Sequence, residues 1–258
     1  MKFKNLVPAL LALAATTLLL ANPAQATLLG RDINGHAVDG SHVSAVFLYD
    51  TDLNITWLRD ANASETAGNT DDPAGSGFGG HMSWYAAINW ANTLSVGGFS
   101  GWRLPTAPQS DPTCSSRYNG PFSPLGTLYF GLNCTASEMG HLWYQELGNI
   151  GGRKMLNVGA FLNFQLTWYW SGSTSPQTLS PLFPDDYLPF AWGLEAYHGS
   201  QHSYTKDDTG FHGGLAMAVR PGDVLISAVP EPGTLVLVMA ALLGLGAVRR
   251  RAIGTSET

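Results

Sequence analysis

Residues 101–106 read Gly101-Trp102-Arg103-Leu104-Pro105-Thr106, and this block predicts a structural corner in the middle of the chain. The glycine permits a tight turn, and the tryptophan supplies a large anchor for a core. The guanidinium of Arg103 can donate to several carbonyls or to a carboxylate, while Pro105 restricts the backbone where the chain leaves the corner. The block therefore favours a structural role over a binding role.

The residues before the corner predict a β-hairpin, a long loop and a helix. Residues 44–49 and 55–58 alternate apolar and polar side chains on either side of a polar turn, as the strands of a hairpin do. Residues 61–80 are mostly Asn, Ser, Thr, Asp and Gly, which predicts an exposed loop. From Met82 to Leu94, apolar residues recur at helical spacing and Gly97-Gly98 follows as a stop.

The residues after the corner predict a second helix and several strands. Ser137 is a suitable N-cap for a helix that ends near Leu147, with inward-facing residues at Met139, Leu142, Trp143 and Leu147. Residues 166–170, 190–197 and 215–220 are aromatic or apolar runs typical of strands. Together these elements predict an α+β domain with two helices, a twisted antiparallel sheet and long loops.

The charge of the chain excludes one class of partner. Of the 258 residues only 12% are charged, and five of the thirteen Lys and Arg residues lie near the two ends. The remaining body has eight basic against seventeen acidic residues, a formal charge of −9. Because phosphate binding needs clustered Lys and Arg, no nucleic-acid partner is expected.

The N-terminal residues predict a secretory signal peptide. Lys2 and Lys4 precede an apolar run over residues 6–21, and Ala24-Gln25-Ala26 follows it. A charged head, a short apolar segment and an A-x-A site predict a signal over residues 1–26, cut by signal peptidase between Ala26 and Thr27. The alternative is a membrane helix that is retained.

The C-terminal residues predict a short membrane segment after a proline-rich motif. Val229-Pro230-Glu231-Pro232 precedes an apolar run over residues 234–248, and three arginines follow. As a helix this run is about 22 Å long, which is short for a hydrocarbon core of about 30 Å. The arginines would keep that end in the cytoplasm and the body outside. These features predict a transmembrane helix that tethers a precursor to the inner membrane.

The order of proline motif, apolar helix and basic cluster over residues 229–258 resembles the PEP-CTERM sorting signal. The resemblance implies processing by an exosortase and delivery to the outer surface or extracellular matrix of a Gram-negative bacterium. It also implies a setting of exopolysaccharide and biofilm production. A plain tail anchor is the alternative.

The body, which we define as residues 27–228, resembles a second family. Residues 53–60, the block at 101–106 and residues 168–173 are similar in order to the Lcl C-terminal-type domain of unknown function. The resemblance implies a C-type-lectin-like fold distantly related to formylglycine-generating enzymes. Those enzymes need reactive cysteines in the C-terminal part of the domain. No cysteine follows Cys134 here, so that activity is not expected.

The two cysteines predict a disulfide. Cys114 and Cys134 are the only cysteines of the chain and are expected to pair in an oxidising compartment. A redox or nucleophilic role would need a third partner and an activating environment.

The histidines and paired aspartates are weak candidates for a metal site. His198 and His202 have i,i+4 spacing, but Gly199 between them argues against the shared helical face that such a pair needs. His212 and the acidic residues Glu195, Asp207 and Asp208 lie nearby in sequence. The pairs at residues 71–72 and 185–186 offer oxygen ligands to calcium. We expect no metal and no cofactor, with calcium as the weaker alternative.

The sequence favours a non-enzymatic surface protein that acts through envelope or biofilm contacts. It contains no G-x-S-x-G, phosphate-binding or H-E-x-x-H motif. The first alternative is a carbohydrate-binding module for exopolysaccharide that uses Tyr169, Trp192 and Tyr197 as exposed aromatic contacts. The second is a hydrolase or modifying enzyme, because two catalytic carboxylates can meet in space without a short signature.

Overall fold

A computed structural model describes residues 28–68, 79–123, 126–177, 190–207 and 213–225. The predicted signal peptide, the proline motif and the apolar run at 234–248 lie outside these residues, as do Asp71-Asp72 and Asp185-Asp186. Within the described ranges, no helix has the length and apolar character needed to cross a membrane.

The largest sheet has five antiparallel strands in the order β10-β4-β3-β1-β2. The predicted hairpin is confirmed, because β3 and β4 pair with Phe47 opposite Leu58 and Asp50 opposite Ile55. Asn54 has a φ of 51°, a left-handed conformation that asparagine tolerates in a tight turn. The strands are β1 Leu28–Asp32, β2 Ala37–Val38, β3 Ala45–Asp50, β4 Ile55–Leu58 and β10 Val219–Pro221.

The other described strands form two smaller antiparallel sheets, so the prediction of one twisted sheet is wrong. β5 (Ser116–Tyr118) and β6 (Leu128–Phe130) pair with each other. β7 (Trp168–Thr174), β8 (Phe190–Glu195) and β9 (Ser200–Thr205) form a separate three-stranded sheet. The predicted strand at 215–220 is regular only in β10. Its first residue, Leu215, instead forms an isolated bridge to Tyr169 in the three-stranded sheet.

Both predicted helices are present. α2 spans Trp84–Thr93, with the Ser83 side chain accepting a hydrogen bond from the amide of Ala86. The second begins as α3 (Glu138–His141), where Ser137 is the N-cap as predicted. It continues as a π-helical segment over Leu142–Glu146 instead of an α-helix.

The predicted exposed loop at 61–80 is wrong at its start. A short helix, α1, spans Ala63–Thr66, and Ala61 and Ser64 are fully buried. Asn62 is 1% exposed, and its side-chain amide donates to the carboxylate of Glu65. A polar composition therefore did not prevent burial here, because the polar side chain has a partner inside.

The corner block contacts both the first sheet and α3. Gly101 has a φ of 78°, and the fully buried Trp102 ring stacks on Phe47 with 5.6 Å between ring centroids. Two guanidinium nitrogens of Arg103 each donate to a carboxylate oxygen of Glu138 at 2.7 Å. The block thus links the first sheet to the start of α3.

Candidate functional site

The described residues form an open cleft of about 580 Å³ beside the β5–β6 hairpin, which we call the aromatic cleft. Its lining combines aromatic rings with an amide, an imidazole and a hydroxyl. The lining residues are Tyr118, Phe122, Leu128, Phe130, Gln177, His202 and Ser203. An apolar concave surface with a few polar groups is the usual composition of a small-molecule site.

The strand register places the aromatic side chains on the same face of the hairpin. Tyr118 lies opposite Leu128, and Ser116 lies opposite Phe130. Because side chains alternate between the two faces of a strand, Tyr118, Leu128 and Phe130 all point to the cleft side. Phe122, in the turn after β5, is 44% exposed and adds a ring at the rim.

A disulfide holds the base of this hairpin. Cys114 and Cys134 are bonded, as predicted, just before β5 and just after β6. Between the disulfide and the two strands, the backbone amide of Ser115 also donates to the backbone carbonyl of Leu132 at 2.7 Å. The disulfide therefore closes a loop over residues 114–134, and this loop carries four of the cleft residues.

Hydrogen bonds dock the hairpin on β9. The backbone of Gly131 exchanges two hydrogen bonds with the backbone of Gln201, at 2.8 and 2.7 Å. This contact places His202 beside the hairpin, with 6.0 Å between the ring centroids of His202 and Phe130. The cleft therefore depends on two elements that are about 70 residues apart in sequence.

The polar groups of the cleft are arranged to form directed hydrogen bonds. The Ser203 hydroxyl donates to the side-chain oxygen of Gln177 at 2.6 Å, which leaves the amide nitrogen of Gln177 as a donor for a ligand. Burial lowers the pKa of His202, although the charge of Glu195 opposes the shift. His202 is therefore neutral near neutral pH and offers one donor and one acceptor.

The predicted glycan contacts are corrected by the structure. Tyr169 is 1% exposed and Trp192 is fully buried, so the prediction that they are exposed contacts is wrong for both. Strand β8 lies between β7 and β9, and its residues from Phe190 to Leu194 are all buried, because both faces of the strand are covered. Tyr197 is half-buried, beside His198 and Lys154 and outside the cleft lining.

Trp192 nevertheless supports the cleft from inside. It forms a small buried cluster with Ala107 and Leu128, against which Tyr118 and Phe130 pack. Trp192, which was predicted to be an exposed contact, therefore lies beneath the cleft, and the surface residues of the cleft were not predicted. The sequence signal for this surface was Tyr118 in one segment and the pair Tyr129-Phe130 in another, each segment close to one of the two cysteines.

The two histidines considered as weak metal candidates, His198 and His202, lie in different surroundings in the described residues. Gly199, with a φ of 75°, turns the chain between His198 and His202. His198 lies 3.1 Å from Glu195 at the surface, whereas His202 faces the cleft. Neither belongs to a group of three ligands in the described ranges, and His212 and Asp208 lie outside them.

The C-terminal residues match a known signal. Residues 228–251 match the family model described as the PEP-CTERM protein-sorting motif. The chain carries a PEP-CTERM sorting motif. The motif implies processing by exosortase and export through the membrane to the cell surface, so the prediction of a sorting signal in the C-terminal residues is confirmed. The membrane tether predicted at residues 234–248 stays a prediction. No curated protein and no solved structure gives a significant match to the chain.

Proposed function

We propose that this PEP-CTERM protein is a non-catalytic surface or matrix protein of a Gram-negative bacterium whose body acts by binding. The observation that carries the proposal is the aromatic cleft. Its described lining contains rings, an amide, a hydroxyl and a neutral imidazole, which are groups that recognise a ligand by packing and hydrogen bonding. Cell-surface delivery by the sorting motif would expose this cleft to the envelope and the extracellular matrix.

A saccharide is the ligand class that this cleft fits best. Sugars present both apolar C–H faces and many hydroxyls, so they need flat aromatic surfaces next to hydrogen-bonding groups. Tyr118, Phe122 and Phe130 supply the rings, and Gln177 and Ser203 supply the polar atoms. The second candidate function is therefore a carbohydrate-binding module for exopolysaccharide, with these residues in place of the buried Tyr169 and Trp192.

Retention of the full chain on exopolysaccharide from the producing cells tests this binding function. Phe122→Ala and Tyr118→Ala should weaken retention by more than about tenfold, because each removes a ring that a sugar would stack on. Tyr85→Ala is the matched control, since Tyr85 is 38% exposed on α2, away from the cleft. Equal retention by the Phe122 and Tyr118 variants and the unaltered chain would exclude the cleft as the saccharide site.

The processing steps are tested separately. Mass spectrometry of the mature protein should find an N-terminus at Thr27. It should also find the residues after Pro232 missing in cells that contain an exosortase. A mature protein with both ends intact would contradict the processing proposal and leave the binding test unaffected.

We propose the Lcl C-terminal-like domain with a C-type-lectin-like fold as the framework of the body. Support comes from the corner block, where Trp102 is buried and Arg103 pairs with Glu138, as a structural corner requires. An experimental structure that superposes on a C-type-lectin-like domain with the block at the same corner is the expected result. A different strand order at that corner would contradict the relationship.

A further inference from the structure

Three side chains with metal-binding atoms meet inside the body, away from the aromatic cleft. Asp50 ends β3, His141 ends α3 and Glu146 ends the π-helical segment. One ligand atom from each lies within 4.8 Å of the other two, and all three residues are buried. We call these residues the buried Asp–His–Glu group.

The π-helical segment brings His141 and Glu146 together. In an α-helix, two residues five positions apart point about 140° apart around the axis. A π-turn is wider and hydrogen bonds residues five apart, so it places such residues on nearly the same side. The amide of Leu147 donates to the carbonyl of Leu142 at 2.9 Å, which is this wider hydrogen bond. As a result His141 Nε2 lies 3.4 Å from Glu146 Oε1.

The ligand atoms of His141 and Glu146 contact each other at 3.4 Å but have no hydrogen-bond partner within the described residues. Both carboxylate oxygens of Glu146 and Nε2 of His141 are buried and form no hydrogen bond with any residue that the structure describes. The Glu146 side chain is 1% exposed and the His141 side chain is 10% exposed. Burying such atoms without a partner is costly, so a bound ion at this point would stabilise them.

Asp50 is held in position by the turn that follows it. Its Oδ1 accepts hydrogen bonds from the amides of Asp52 and Leu53, at 3.1 and 2.9 Å. Its Oδ2 accepts only a long contact of 3.4 Å from the Trp57 indole in the described residues. One carboxylate oxygen is therefore fixed by the backbone while the other remains able to bind an ion.

We propose that Asp50, His141 and Glu146 bind a divalent transition-metal ion of the zinc type. One imidazole and two carboxylates match zinc, whereas calcium prefers six to eight oxygen ligands. Three atoms at most 4.8 Å apart share a central point no more than about 2.8 Å from each, so side-chain shifts of under about 1 Å reach zinc distances. The ion would tie the β3–β4 turn to α3 and the π-helical segment.

Zinc binding to the unaltered full chain is the first test. The chain is purified in mild detergent, treated with a chelator and titrated with Zn²⁺ alone. We expect one bound ion per chain and, at free zinc about 100 times the Kd, a rise of about 5–10 °C in Tm. Failure to bind zinc saturably at one ion per chain would overturn the proposal without any variant.

Two substitutions locate the ion. Glu146→Gln and His141→Gln should each weaken zinc binding by more than about tenfold and remove the rise in Tm. His198→Gln is the matched control, because His198 also lies beside a glutamate but at the surface, and it should leave both measurements unchanged. Equal zinc affinity in Glu146→Gln and the unaltered chain would overturn the proposal. Binding of Ca²⁺ instead of Zn²⁺ by the unaltered chain would overturn it as well.

Discussion

The aromatic cleft and the buried Asp–His–Glu group differ in whether their polar side-chain atoms have hydrogen-bond partners. In the cleft, Ser203 donates to Gln177 at 2.6 Å, and part of the lining is open to solvent. In the buried group, neither carboxylate oxygen of Glu146 has a hydrogen-bond partner within the described ranges. Satisfied polar atoms beside open rings suit a ligand that exchanges, whereas unsatisfied buried atoms suit an ion that stays in place.

Burial disfavours the charged form of an ionisable side chain in both regions. It lowers the pKa of His202 in the cleft and raises the pKa of Glu146 to about 7 in the buried group, where the charges of Asp50 and Asp52 add to the effect. In each case loss of water disfavours the charged form. The consequence differs, because a neutral imidazole can bind an uncharged ligand while a crowded carboxylate is stabilised by a cation.

Replacement of Trp192 should produce the largest change in stability. Trp192→Ala removes a fully buried side chain from beneath the cleft, so the free energy of unfolding should fall by about 3–5 kcal/mol. Urea denaturation measures this loss, and Tyr118→Ala at the cleft surface should cost less. A Trp192→Ala protein of unchanged stability that no longer binds saccharide would place Trp192 on the ligand surface after all.

Removal of the disulfide should impair the aromatic cleft and leave the buried Asp–His–Glu group unchanged. The double variant Cys114→Ser with Cys134→Ser should lose about 3 kcal/mol of unfolding free energy, because the closed loop constrains the unfolded chain. Saccharide retention should fall with it, while zinc binding persists, since the disulfide brackets the β5–β6 hairpin and no residue of the buried group. Urea denaturation measures the unfolding free energy, the polysaccharide pull-down measures saccharide retention, and zinc titration measures metal binding. A parallel loss of zinc binding would show that the regions are not independent.

The titration of His202 should produce the smallest change in stability. Its folded pKa is depressed, so the unfolded chain binds the proton more readily. The stability that this residue contributes is complete above the unfolded pKa of about 6.5 and is lost as the pH falls through the folded value.

Thermal unfolding across this pH range measures the effect. His202→Gln should make the midpoint less dependent on pH below about 6.5. The same pH dependence in His202→Gln and the unaltered chain would contradict a lowered pKa for His202 in the folded protein.

Features that depend on neighbours along the chain could be predicted from the amino-acid sequence. The β3–β4 hairpin follows from alternation around a polar turn, and α2 follows from helical spacing after Ser83. The sorting motif at 228–251 is a linear signal, so it can be found without any fold. The disulfide was predictable because the chain has only two cysteines.

The accessibility of the aromatic and polar side chains depends on contacts that form only in the folded protein. Aromatic residues on a strand can face solvent or core, and Trp192 became buried because β7 and β9 flank its strand and both faces are covered. Tyr118 and Phe130 became cleft residues because their hairpin docks on β9 through Gly131. Neither result depends on local sequence, since both arise from contacts between distant segments.

The buried Asp–His–Glu group was beyond sequence analysis for the same reason. Asp50 is far from His141 along the chain, and an α-helix over residues 137–147 would have turned His141 and Glu146 away from each other. The π-helical segment Leu142–Glu146 reverses that expectation by widening the turn. Local pattern thus predicted the β3–β4 hairpin, the starts of the two longer helices and the sorting motif, while long-range packing decided which side chains meet.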